Sequence, residues 1–403
     1  MKKEKVLIVT KFYYRRGGDC VCAINLENLL RARGHEVALF AMKHPDNLQS
    51  EWEAYWPEEV SFGGGVKNKV NAVKRTLGMG DVAANFERML RDFKPDVVHL
   101  HNIHSYLSPV VAKLAKKFGA RAVWTLHDYK LICPAYSCLR DGKTCELCYT
   151  SKRHVLTTRC MKGSMAASAI AWLEAEWWNR KKLERYTDAF VCPSSFMAGK
   201  MAQGGFAPDK LNVLCNFVAS EMAEKLACGS EASKPQDYYC YIGRLSPEKG
   251  VGTLLEAASR LPYELRVVGD GPLMDEFRAK YGDCANIKLL GRKDPAEVLE
   301  VLKGARFSVM PSECYENNPM GVIESLCAGT PVIGAEIGGI PELIDDQCGT
   351  TYPSGNAVAL VESIKRMWDM TFDRNAIKRR SMTLYTPDVH YAKLIDIYRG
   401  TAE

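Results

Sequence analysis

The sequence has no long apolar run and no strong excess of one charge. None of its segments stays apolar over the roughly 18 residues that a membrane-spanning helix needs. Its 54 basic residues stand against 48 acidic ones, which leaves a net charge of +6 over 403 residues. This balance does not indicate a nucleic acid partner, because nucleic acid binding relies on many unpaired cations. We therefore expect a protein with no membrane-spanning helix and no nucleic acid ligand.

A signal peptide and a catalytic metal motif are also missing from the pattern. The first ten residues, MKKEKVLIVT, lead directly into a strand pattern instead of an apolar signal segment, which predicts a cytoplasmic protein. In that compartment the fifteen cysteines should be mostly reduced, so we expect no disulfide framework. No Asp-x-Asp stands in a metal-binding context, and we therefore predict no catalytic metal.

The length of the chain indicates two domains. A chain of 403 residues is too long for one ordinary core and suits two α/β domains of about 200 residues each. Residues 5–10 form a short apolar strand, a loop with Gly17 and Gly18 follows, and a helical pattern leads to a second strand. This order is typical of a doubly wound sheet. We predict domains at 1–220 and 237–385, a polar linker at 221–236 and a final helical segment at 386–403.

Residues 311–344 contain the most informative pattern, two carboxylates around a helix start. Pro319 suits a first helical turn, and the free N–H groups that follow it attract anions such as phosphate. Glu316 precedes this turn and could accept hydrogen bonds from sugar hydroxyls. Glu324, inside the helix, could accept from the two hydroxyls of a ribose. Two carboxylates eight residues apart also occur on ordinary solvated helix faces.

A second pattern places two cations between a strand and a helix. Arg244 and Lys249 lie in the segment GRLSPEKG, which follows the apolar residues 238–242 and precedes a helical pattern. The planar fork of Arg244 and the point charge of Lys249 suit the two phosphates of a nucleoside diphosphate. The alternative is a surface turn with two solvated cations.

With these motifs the chain resembles the retaining GT-B glycosyltransferases of family 4, the glycosyl transferases group 1. The signature of that family is a Glu, seven residues and a second Glu, which here are Glu316 and Glu324. The resemblance implies two doubly wound Rossmann-like domains that face each other across a cleft, with a last helix that returns to the first domain. It also implies a nucleotide-diphosphate sugar as donor and front-face attack assisted by the leaving phosphate.

The resemblance assigns most of the donor site to the C-terminal half. His127, Arg244, Lys249 and Glu316 would be catalytic. The residues that would bind the donor are Gly17, Gly18, Arg244, Lys249, Leu290, Glu316, Asn317, Asn318, Pro319, Met320, Gly321 and Glu324.

The N-terminal half should supply the acceptor side. His127 follows the strand AVWTL, so it would project from the carboxyl end of the sheet, and Asp128 would orient it or bind acceptor hydroxyls. A cap on the next turn is the alternative for Asp128. His99 and His101 share one face of a strand, a spacing that could suggest a metal. We favour acceptor contact for His101 and structural roles for His99 and His104.

Five cysteines lie within residues 133–160, where an even spread of the fifteen would place about one. Cys145 and Cys148 have the spacing of a zinc knuckle, and Cys133 with Cys160 would complete four thiolates, with Cys138 as an alternative ligand. The segment has little apolar content, so a metal would supply the missing stability. We predict a structural zinc, with an iron–sulfur cluster and reduced cysteines as alternatives.

Two stretches suggest contact with a membrane surface. Residues 62–79 carry four cations and no acid, and Trp172, Trp177 and Trp178 precede three basic residues in a helical run. Basic residues beside aromatic ones favour the headgroups of anionic lipids. The alternative is an amphipathic helix whose tryptophans fill the core. A lipid-linked acceptor would place the protein at the inner face of the membrane.

The predicted function is transfer of a hexosyl group, with retention, from a nucleotide-diphosphate sugar to a saccharide acceptor. UDP and GDP are the favoured nucleotides, and the acceptor belongs to surface polysaccharide assembly. One alternative is a nucleotide-sugar 2-epimerase of the same fold, which would need no acceptor. Another is a protein that binds the nucleotide sugar without turnover.

Overall fold

The computed structural model describes residues 3–61, 66–228 and 233–402, which form two compact units. Unit 1 consists of Met1–Cys138, Cys145–Leu214 and Tyr391–Glu403, and unit 2 of Leu139–Thr144 and Cys215–His390.

The elements alternate between strands and helices along most of the chain. Strands β1 to β14 span Lys5–Val9, Glu36–Phe40, Val97–Leu100, Arg121–Thr125, Leu139–Arg140, Lys143–Thr144, Ala189–Cys192, Leu211–Val213, Tyr238–Ile242, Glu264–Val268, Ile287–Gly291, Ser308–Met310, Val332–Ala335 and Gly349–Tyr352. Helices α1 to α16 span Gly18–Ala32, Val66–Thr76, Asp81–Phe93, Val110–Lys117, His154–Thr157, Met165–Trp177, Arg180–Tyr186, Ser195–Gln203, Ser220–Cys228, Val251–Ala258, Met274–Tyr281, Pro295–Gly304, Met320–Cys327, Ala357–Asp369, Arg374–Met382 and Pro387–Arg399. Short 3-10 turns occur at Glu53–Tyr55, Leu147–Tyr149, Pro208–Lys210, Pro247–Lys249 and Ile340–Leu343.

The sheet of unit 1 has six strands in the order β2-β1-β3-β4-β7-β8. Neighbouring strands are parallel, and strands such as KVLIV are buried over almost their whole length because helices cover both faces. The strand order reverses between β1 and β3. The loops that follow these two strands therefore meet at one edge of the sheet, the usual place for a ligand in such a fold.

The last helix, α16, packs its C-terminal part on unit 1. The hydroxyl of Tyr391 lies 2.8 Å from Nε2 of His35, and the hydroxyl of Tyr398 lies 2.6 Å from Nδ1 of His99. Arg121 donates from Nε to the carbonyl of Ile397 at 3.0 Å. These buried contacts join the end of the chain to strands near its beginning.

Unit 2 contains a second parallel sheet, in the order β11-β10-β9-β12-β13-β14. Its helices bury the apolar strands on both faces, and Tyr239 stacks on Phe307 with ring centroids 5.2 Å apart. The order reverses between β9 and β12, so the loops after these strands share one edge. The two doubly wound sheets confirm the predicted α/β architecture.

The boundary between the units lies between Leu214 and Cys215, where the sequence suggested residue 220. The predicted linker 221–236 begins instead with helix α9, in which Leu226 is buried. The backbone N–H of Val218 donates to the carbonyl of Tyr385 at 3.0 Å within unit 2. The part of the predicted linker that lies in α9 therefore packs on unit 2, whereas residues 233–236 are exposed and belong to no helix or strand. Residues 229–232 lie outside the described residues.

The tryptophan run forms two helices, α6 and α7, instead of one. Asn179 ends the first and caps the second, because its side chain accepts from the N–H of Lys182. Trp178 is buried and donates to the carbonyl of Thr76 at 2.9 Å, whereas Trp177 is 50% exposed. Trp178 therefore fills the core, as the alternative interpretation held.

In the other stretch considered for membrane contact, residues 62–65 lie outside the described part of the chain. None of the helices within residues 3–61, 66–228 and 233–402 combines the length and the apolarity needed to cross a membrane.

Candidate active site

The loop after β9 carries both predicted cations and is tightly packed. The hydroxyl of Tyr241 donates to the carbonyl of Arg244 at 2.9 Å, while the guanidinium of Arg244 is exposed. Gly250 ends the loop with φ +64°, and a Cβ at this position would lie 1.9 Å from the carbonyl oxygen of Pro311. A glycine is required here because the loops after β9 and β12 touch through their backbones.

The loop after β12 brings Glu316 to Lys249. The ammonium of Lys249 lies 2.6 Å from Oε1 of Glu316, and the hydroxyl of Ser312 donates to the same oxygen at 2.7 Å. The Glu316 side chain is 13% exposed and that of Lys249 is 30% exposed. The structure therefore joins two predicted catalytic residues that lie 67 positions apart in the chain.

The pKa of Lys249 is raised. Burial acts to lower this pKa, but the negative charge of Glu316 and the hydrogen bond to it outweigh burial. Lys249 is therefore charged at neutral pH. A cation held in this way can meet a phosphate without first being protonated.

A glycine turn that the sequence analysis did not single out holds the backbone of Glu316. The N–H of Gly339 donates to the carbonyl of Glu316 at 2.7 Å, and Gly338 has φ +62°. A Cβ on Gly338 would lie 2.3 Å from that carbonyl oxygen. The sequence shows Gly338 and Gly339 as an adjacent pair, but only the fold shows that this pair contacts Glu316.

Helix α13 begins beside this pair. Pro319 is its N-cap with ψ 121° and has no side-chain oxygen to cap the first N–H groups. The N–H groups of Met320 and Gly321 have no acceptor within the helix and point outward from its start. Gly321 lies close to β12, because a Cβ there would be 3.2 Å from Cε of Met310.

Glu324 lies on α13 and is partly exposed at its surface. Partial burial raises the pKa of Glu324 to about 7. Near neutral pH the group is thus divided between the acid and the carboxylate. The carboxylate offers one acceptor oxygen to each of the two hydroxyls of a ribose, whereas in the acid one of these oxygens carries a proton and acts as a donor.

Of the other predicted donor-binding residues of unit 2, Asn318 makes a hydrogen bond that fixes the backbone, whereas Leu290 is exposed. The side-chain oxygen of Asn318 accepts from the N–H of Asn216 at 2.8 Å, so Asn318 anchors the segment before α13. Asn317, next to it, is partly exposed. Leu290 is 37% exposed near the carboxyl end of the edge strand β11.

In unit 1 His101 and His127 end neighbouring strands and contact each other. Nδ1 of His101 lies 2.9 Å from Nε2 of His127, and the rings are stacked with centroids 5.2 Å apart. The thiol of Cys22 lies within 4.8 Å of ring nitrogens of both. Burial lowers the pKa of His127, so the ring is neutral at physiological pH. A neutral ring can both donate and accept a hydrogen bond.

Two charged residues near His127 were missed by the sequence analysis. Asp19 accepts a hydrogen bond from Asn102 at 2.8 Å. Burial acts to raise the pKa of Asp19, but His127, the hydrogen bond and the charge of Lys11 lower it overall. Burial lowers the pKa of Lys11. In the sequence, Asp19 could have been noticed only because it follows Gly17 and Gly18. Its proximity to Lys11 depends on how the chain turns between these two residues.

Gly17 and Gly18 form the start of α1. Gly17 is the N-cap with φ −162°, an extended conformation open to any residue. A Cβ on Gly18 would meet no atom within 4 Å. The backbone therefore does not itself require glycine at these two positions.

Asp128 contacts His104. Its Oδ1 lies 3.5 Å from Nε2 of His104 and accepts from the N–H of Lys130 at 2.9 Å. Burial acts to raise the pKa of Asp128, but the charge and hydrogen bond of His104 lower it to about 2. Asp128 thus caps the turn that follows it, the alternative weighed from the sequence.

His99 is enclosed by side chains of unit 1. Its Nε2 lies 2.7 Å from the hydroxyl of Thr125, and its Nδ1 faces Tyr398 of α16. These contacts stabilise the sheet and its last helix.

Two family models match the chain in succession. The model described as Glycosyltransferase Family 4 matches residues 16–221, about half of the chain, and the model described as Glycosyl transferases group 1 matches residues 225–383. These matches confirm the resemblance drawn from the carboxylate pair and the basic loop.

Several known proteins are similar over nearly the whole length. A glycogen synthase of Mycobacterium tuberculosis is 31% identical over 387 residues, which cover 89% of this chain and 83% of that protein. An uncharacterized 42.6 kDa protein in the cps region of Klebsiella pneumoniae is 26% identical over 358 residues, with 84% and 86% covered. The crystal structure of Anabaena HepE in complex with UDP and glucose has a TM-score of 0.65 at 17% identity, with 98% and 99% covered. The structural likeness confirms the predicted GT-B fold class.

Proposed function

Since the chain belongs to glycosyltransferase family 4, we propose that it transfers a hexosyl group from a nucleotide-diphosphate sugar to a saccharide acceptor with retention of configuration. The proposal depends above all on the ion pair of Lys249 and Glu316 at the edge of the unit 2 sheet where the strand order reverses. That edge is where doubly wound sheets bind nucleotides.

The cations of unit 2 would hold the diphosphate. Arg244 is exposed and Lys249 is charged, and the start of α13 adds outward N–H groups. Negative charge grows on the leaving nucleoside diphosphate as its bond to the sugar breaks. Fixed positive groups at that point lower the barrier, because they stabilise the transition state more than the ground state.

Glu316 and Glu324 would fix the sugar and the ribose. Glu316 pairs with Lys249, and the ammonium of Lys249 and the hydroxyl of Ser312 contact the same carboxylate oxygen. Its second oxygen is then suited to accept from sugar hydroxyls. Glu324 lies on helix α13, whose first N–H groups would bind phosphate, and it would accept from the ribose.

The chemical step that we propose is front-face attack. The acceptor hydroxyl oxygen forms a bond to the anomeric carbon on the face from which the diphosphate leaves. The carbon–oxygen bond to the phosphate breaks with its electron pair on the phosphate oxygen, and that oxygen takes the hydroxyl proton. The neutral His127 in unit 1, with His101 beside it, would contact the sugar or the acceptor.

Two of the comparisons support the donor and the acceptor that we propose. HepE was crystallised with UDP and glucose, which favours a uridine nucleotide among the candidates UDP and GDP. The relative encoded in a cps region is consistent with an acceptor in surface polysaccharide assembly. Half-exposed Trp177, with the ammonium of Lys182 4.8 Å from its ring centre, would suit a lipid-linked acceptor at the inner face of a membrane.

The experiment that tests the function is a panel of UDP-, GDP-, ADP- and dTDP-sugars with and without a pool of glycan acceptors. Free nucleotide and any change in the sugar are measured. Nucleotide release that depends on acceptor, from one donor, is the expected result, and NMR of the product gives the anomeric configuration. Isomerised donor without acceptor would replace the proposal with an epimerase, and an inverted product would overturn the retaining step.

A further inference from the structure

Helix α6 of unit 1 turns its larger apolar side chains outward. Leu173 is 46% exposed and Trp177 is 50% exposed, and Met165 at the start of the helix is exposed to the same degree. Residues four positions apart share one side of a helix, so these three side chains and Ala169 form a single stripe. At a rise of about 1.5 Å per residue the stripe is roughly 18 Å long.

The buried face of the same helix is small and polar. It consists of Ser168, Ala171 and Glu174. The hydroxyl of Ser168 accepts from the N–H of Met161 at 3.2 Å, and the carboxylate of Glu174 pairs with the ammonium of Lys130 at 2.9 Å. A surface helix normally buries its more apolar face. Because α6 does the reverse, its outer stripe is suited to an apolar environment outside the core of unit 1.

The cysteine-rich loop packs beneath α6. Cys148, Val155 and Ala171 form a buried cluster, and Cys160 and Trp172 pack against it. These contacts hold the inner face of α6 on unit 1, so the outer stripe stays turned to solvent.

The same loop does not gather the sulfurs of the predicted zinc site. In the described part of the chain, three ligating side chains with atoms within 4.8 Å of one another occur at Cys22, His101 and His127, and not in the loop. The predicted ligands were Cys133, Cys145, Cys148 and Cys160, with Cys138 as the alternative. A zinc ion in this loop therefore stays a prediction that the arrangement of the sulfurs does not support.

Basic residues flank the stripe at both of its ends. Residues 150–186 contain eight lysines and arginines against three acidic residues, a net charge of +5 where the whole chain carries +6. The exposed basic residues of this segment are Arg153, Arg159, Lys162, Arg180, Lys181 and Arg185. The ammonium of Lys182 lies 4.8 Å from the ring centre of Trp177, so a cation stands beside the exposed aromatic ring. Apolar side chains between cations suit the headgroup region of anionic lipids.

The charge favours a lipid surface over a second copy of the chain. In a two-fold dimer the same patch meets itself, so the cations around α6 would face one another and repel. A bilayer with anionic lipids offers the opposite charge. Helix α6 has 13 residues and is thus about 20 Å long, too short to cross a hydrocarbon layer of about 30 Å. It can lie only in the plane of the interface.

We propose that the α6 stripe and the cations that flank it form a membrane-binding surface for bilayers that contain anionic lipids. Leu173 and Trp177 enter the boundary between headgroups and acyl chains, where an aromatic ring with a polar edge is favoured. The cations remain among the headgroups. This contact does not depend on the transferase assignment. Its use, which is to bring unit 1 to a lipid-linked acceptor, rests on the proposed function.

Flotation with vesicles tests the apolar stripe, with the full chain and without donor or acceptor. We expect binding to phosphatidylcholine vesicles with about 30% phosphatidylglycerol, and little binding to phosphatidylcholine alone or in about 1 M salt. L173S/W177S should lower the partition coefficient about tenfold or more. The matched control is V358S/M370S, which changes two exposed apolar side chains of unit 2 and should bind as the wild type does.

A second pair of variants tests the cations. K162Q/K181Q removes one charge from each end of the stripe, and we expect a partition coefficient at least about threefold lower and a weaker dependence on salt. K365Q/K393Q, which removes two exposed lysines from other helices, should leave both quantities unchanged. Equal losses in the two double variants would show that net charge alone drives the binding and would overturn the assigned surface.

Hydrogen exchange of the wild-type protein keeps the proposal testable even where a variant fails to fold. On anionic vesicles we expect slower exchange in Met165–Trp177 and unchanged exchange in α14 of unit 2. Absence of binding to these vesicles, or full binding by L173S/W177S, would overturn the proposal. Protection of α6 that rises with protein concentration without vesicles would overturn it in favour of a second copy of the chain. Since no donor or acceptor is present, none of these results bears on the transferase.

Discussion

At the scale of single residues, the candidate site depends on the charge of its side chains, and neighbouring groups shift the pKa values that set this charge. Lys249 is kept charged by Glu316, whereas Glu324 is kept partly protonated by burial. The first side chain can therefore meet a phosphate over a wide pH range, and the second cannot accept from a ribose at every pH. Two predictions separate these effects.

Replacement of Lys249 by alanine should lower turnover by roughly 10²-fold or more, because it removes a cation from the charge that develops on the leaving group. Nucleotide release is the measurement. Lys365, which forms an exposed ion pair with Glu362 at 3.0 Å, is the control, and K365A should retain wild-type turnover. Turnover of K249A within about threefold of wild type, a loss under ~1 kcal/mol, would show that the donor site is wrongly assigned.

The affinity for a nucleotide sugar should rise with pH through about 7, because Glu324 must ionise before it accepts from both ribose hydroxyls. The two phosphates of a nucleotide sugar do not titrate near this pH, so calorimetry with the intact donor isolates the protein group. E324Q should bind more weakly and should lose the pH dependence. An unchanged slope in E324Q would assign the effect to another group.

The same pKa affects stability. Between pH 4.5 and about 7 the folded protein holds a proton on Glu324 that the unfolded chain has lost. The contribution of this group to the free energy of unfolding therefore falls as the pH rises through that window. E324Q removes the dependence, which gives the affinity measurement an independent check.

At the scale of the elements, the glycine at the end of a loop and the glycine within the next helix should respond in opposite ways to alanine. Gly250 has φ +64° and faces the carbonyl of Pro311, whereas a Cβ on Gly252 in α10 would meet nothing within 4 Å. We expect G250A to destabilise unit 2 by at least ~1–2 kcal/mol. G252A should stabilise it by ~0.5–1 kcal/mol. Urea unfolding measures both, and equal effects would contradict the conformation assigned to Gly250.

A buried ion pair ties helix α6 to the loop after β4. The ammonium of Lys130 lies 2.9 Å from Oε2 of Glu174, with 8% and 6% of the two side chains exposed, and Ser105 donates to the same carboxylate. E174A would leave Lys130 buried without its partner and should cost ~3–5 kcal/mol. Exposed Glu176, two positions away on α6, is the control. E176A should change the free energy of unfolding by less than ~0.5 kcal/mol.

At the scale of the whole molecule, the chain end belongs to the unit that contains its beginning. Deletion of residues 391–403 removes the partners of His35, His99 and Arg121. We expect faster hydrogen exchange in β1, β3 and β4, whereas exchange in β9 to β14 of unit 2 should stay unchanged. Y398F, which loses one buried hydrogen bond, should show a smaller effect of ~0.5–1.5 kcal/mol. Uniform acceleration in both units would contradict the assignment of residues 391–403 to unit 1.

The fold class could be predicted, and the candidate residues of unit 2 could be selected, because the signals for both are local. A buried parallel strand appears in the sequence as a short apolar run, and a glycine or proline often marks a turn or the end of an element. Strand β14 was missed since GTTY has too little apolar character to stand out. Helix α9 was missed since its polar residues resemble a linker until its apolar ones are seen packed on unit 2.

The sequence by itself determined the α/β class, the family motifs and which residue types would carry charge, because each depends on neighbours within a few positions. Only the tertiary structure decided the partners. It placed Ser312 and Lys249 on the same oxygen of Glu316, with a glycine turn against the backbone of Glu316. Contacts between residues far apart in the chain depend on strand order and packing. The periodicity of apolar residues along the sequence predicts neither of these.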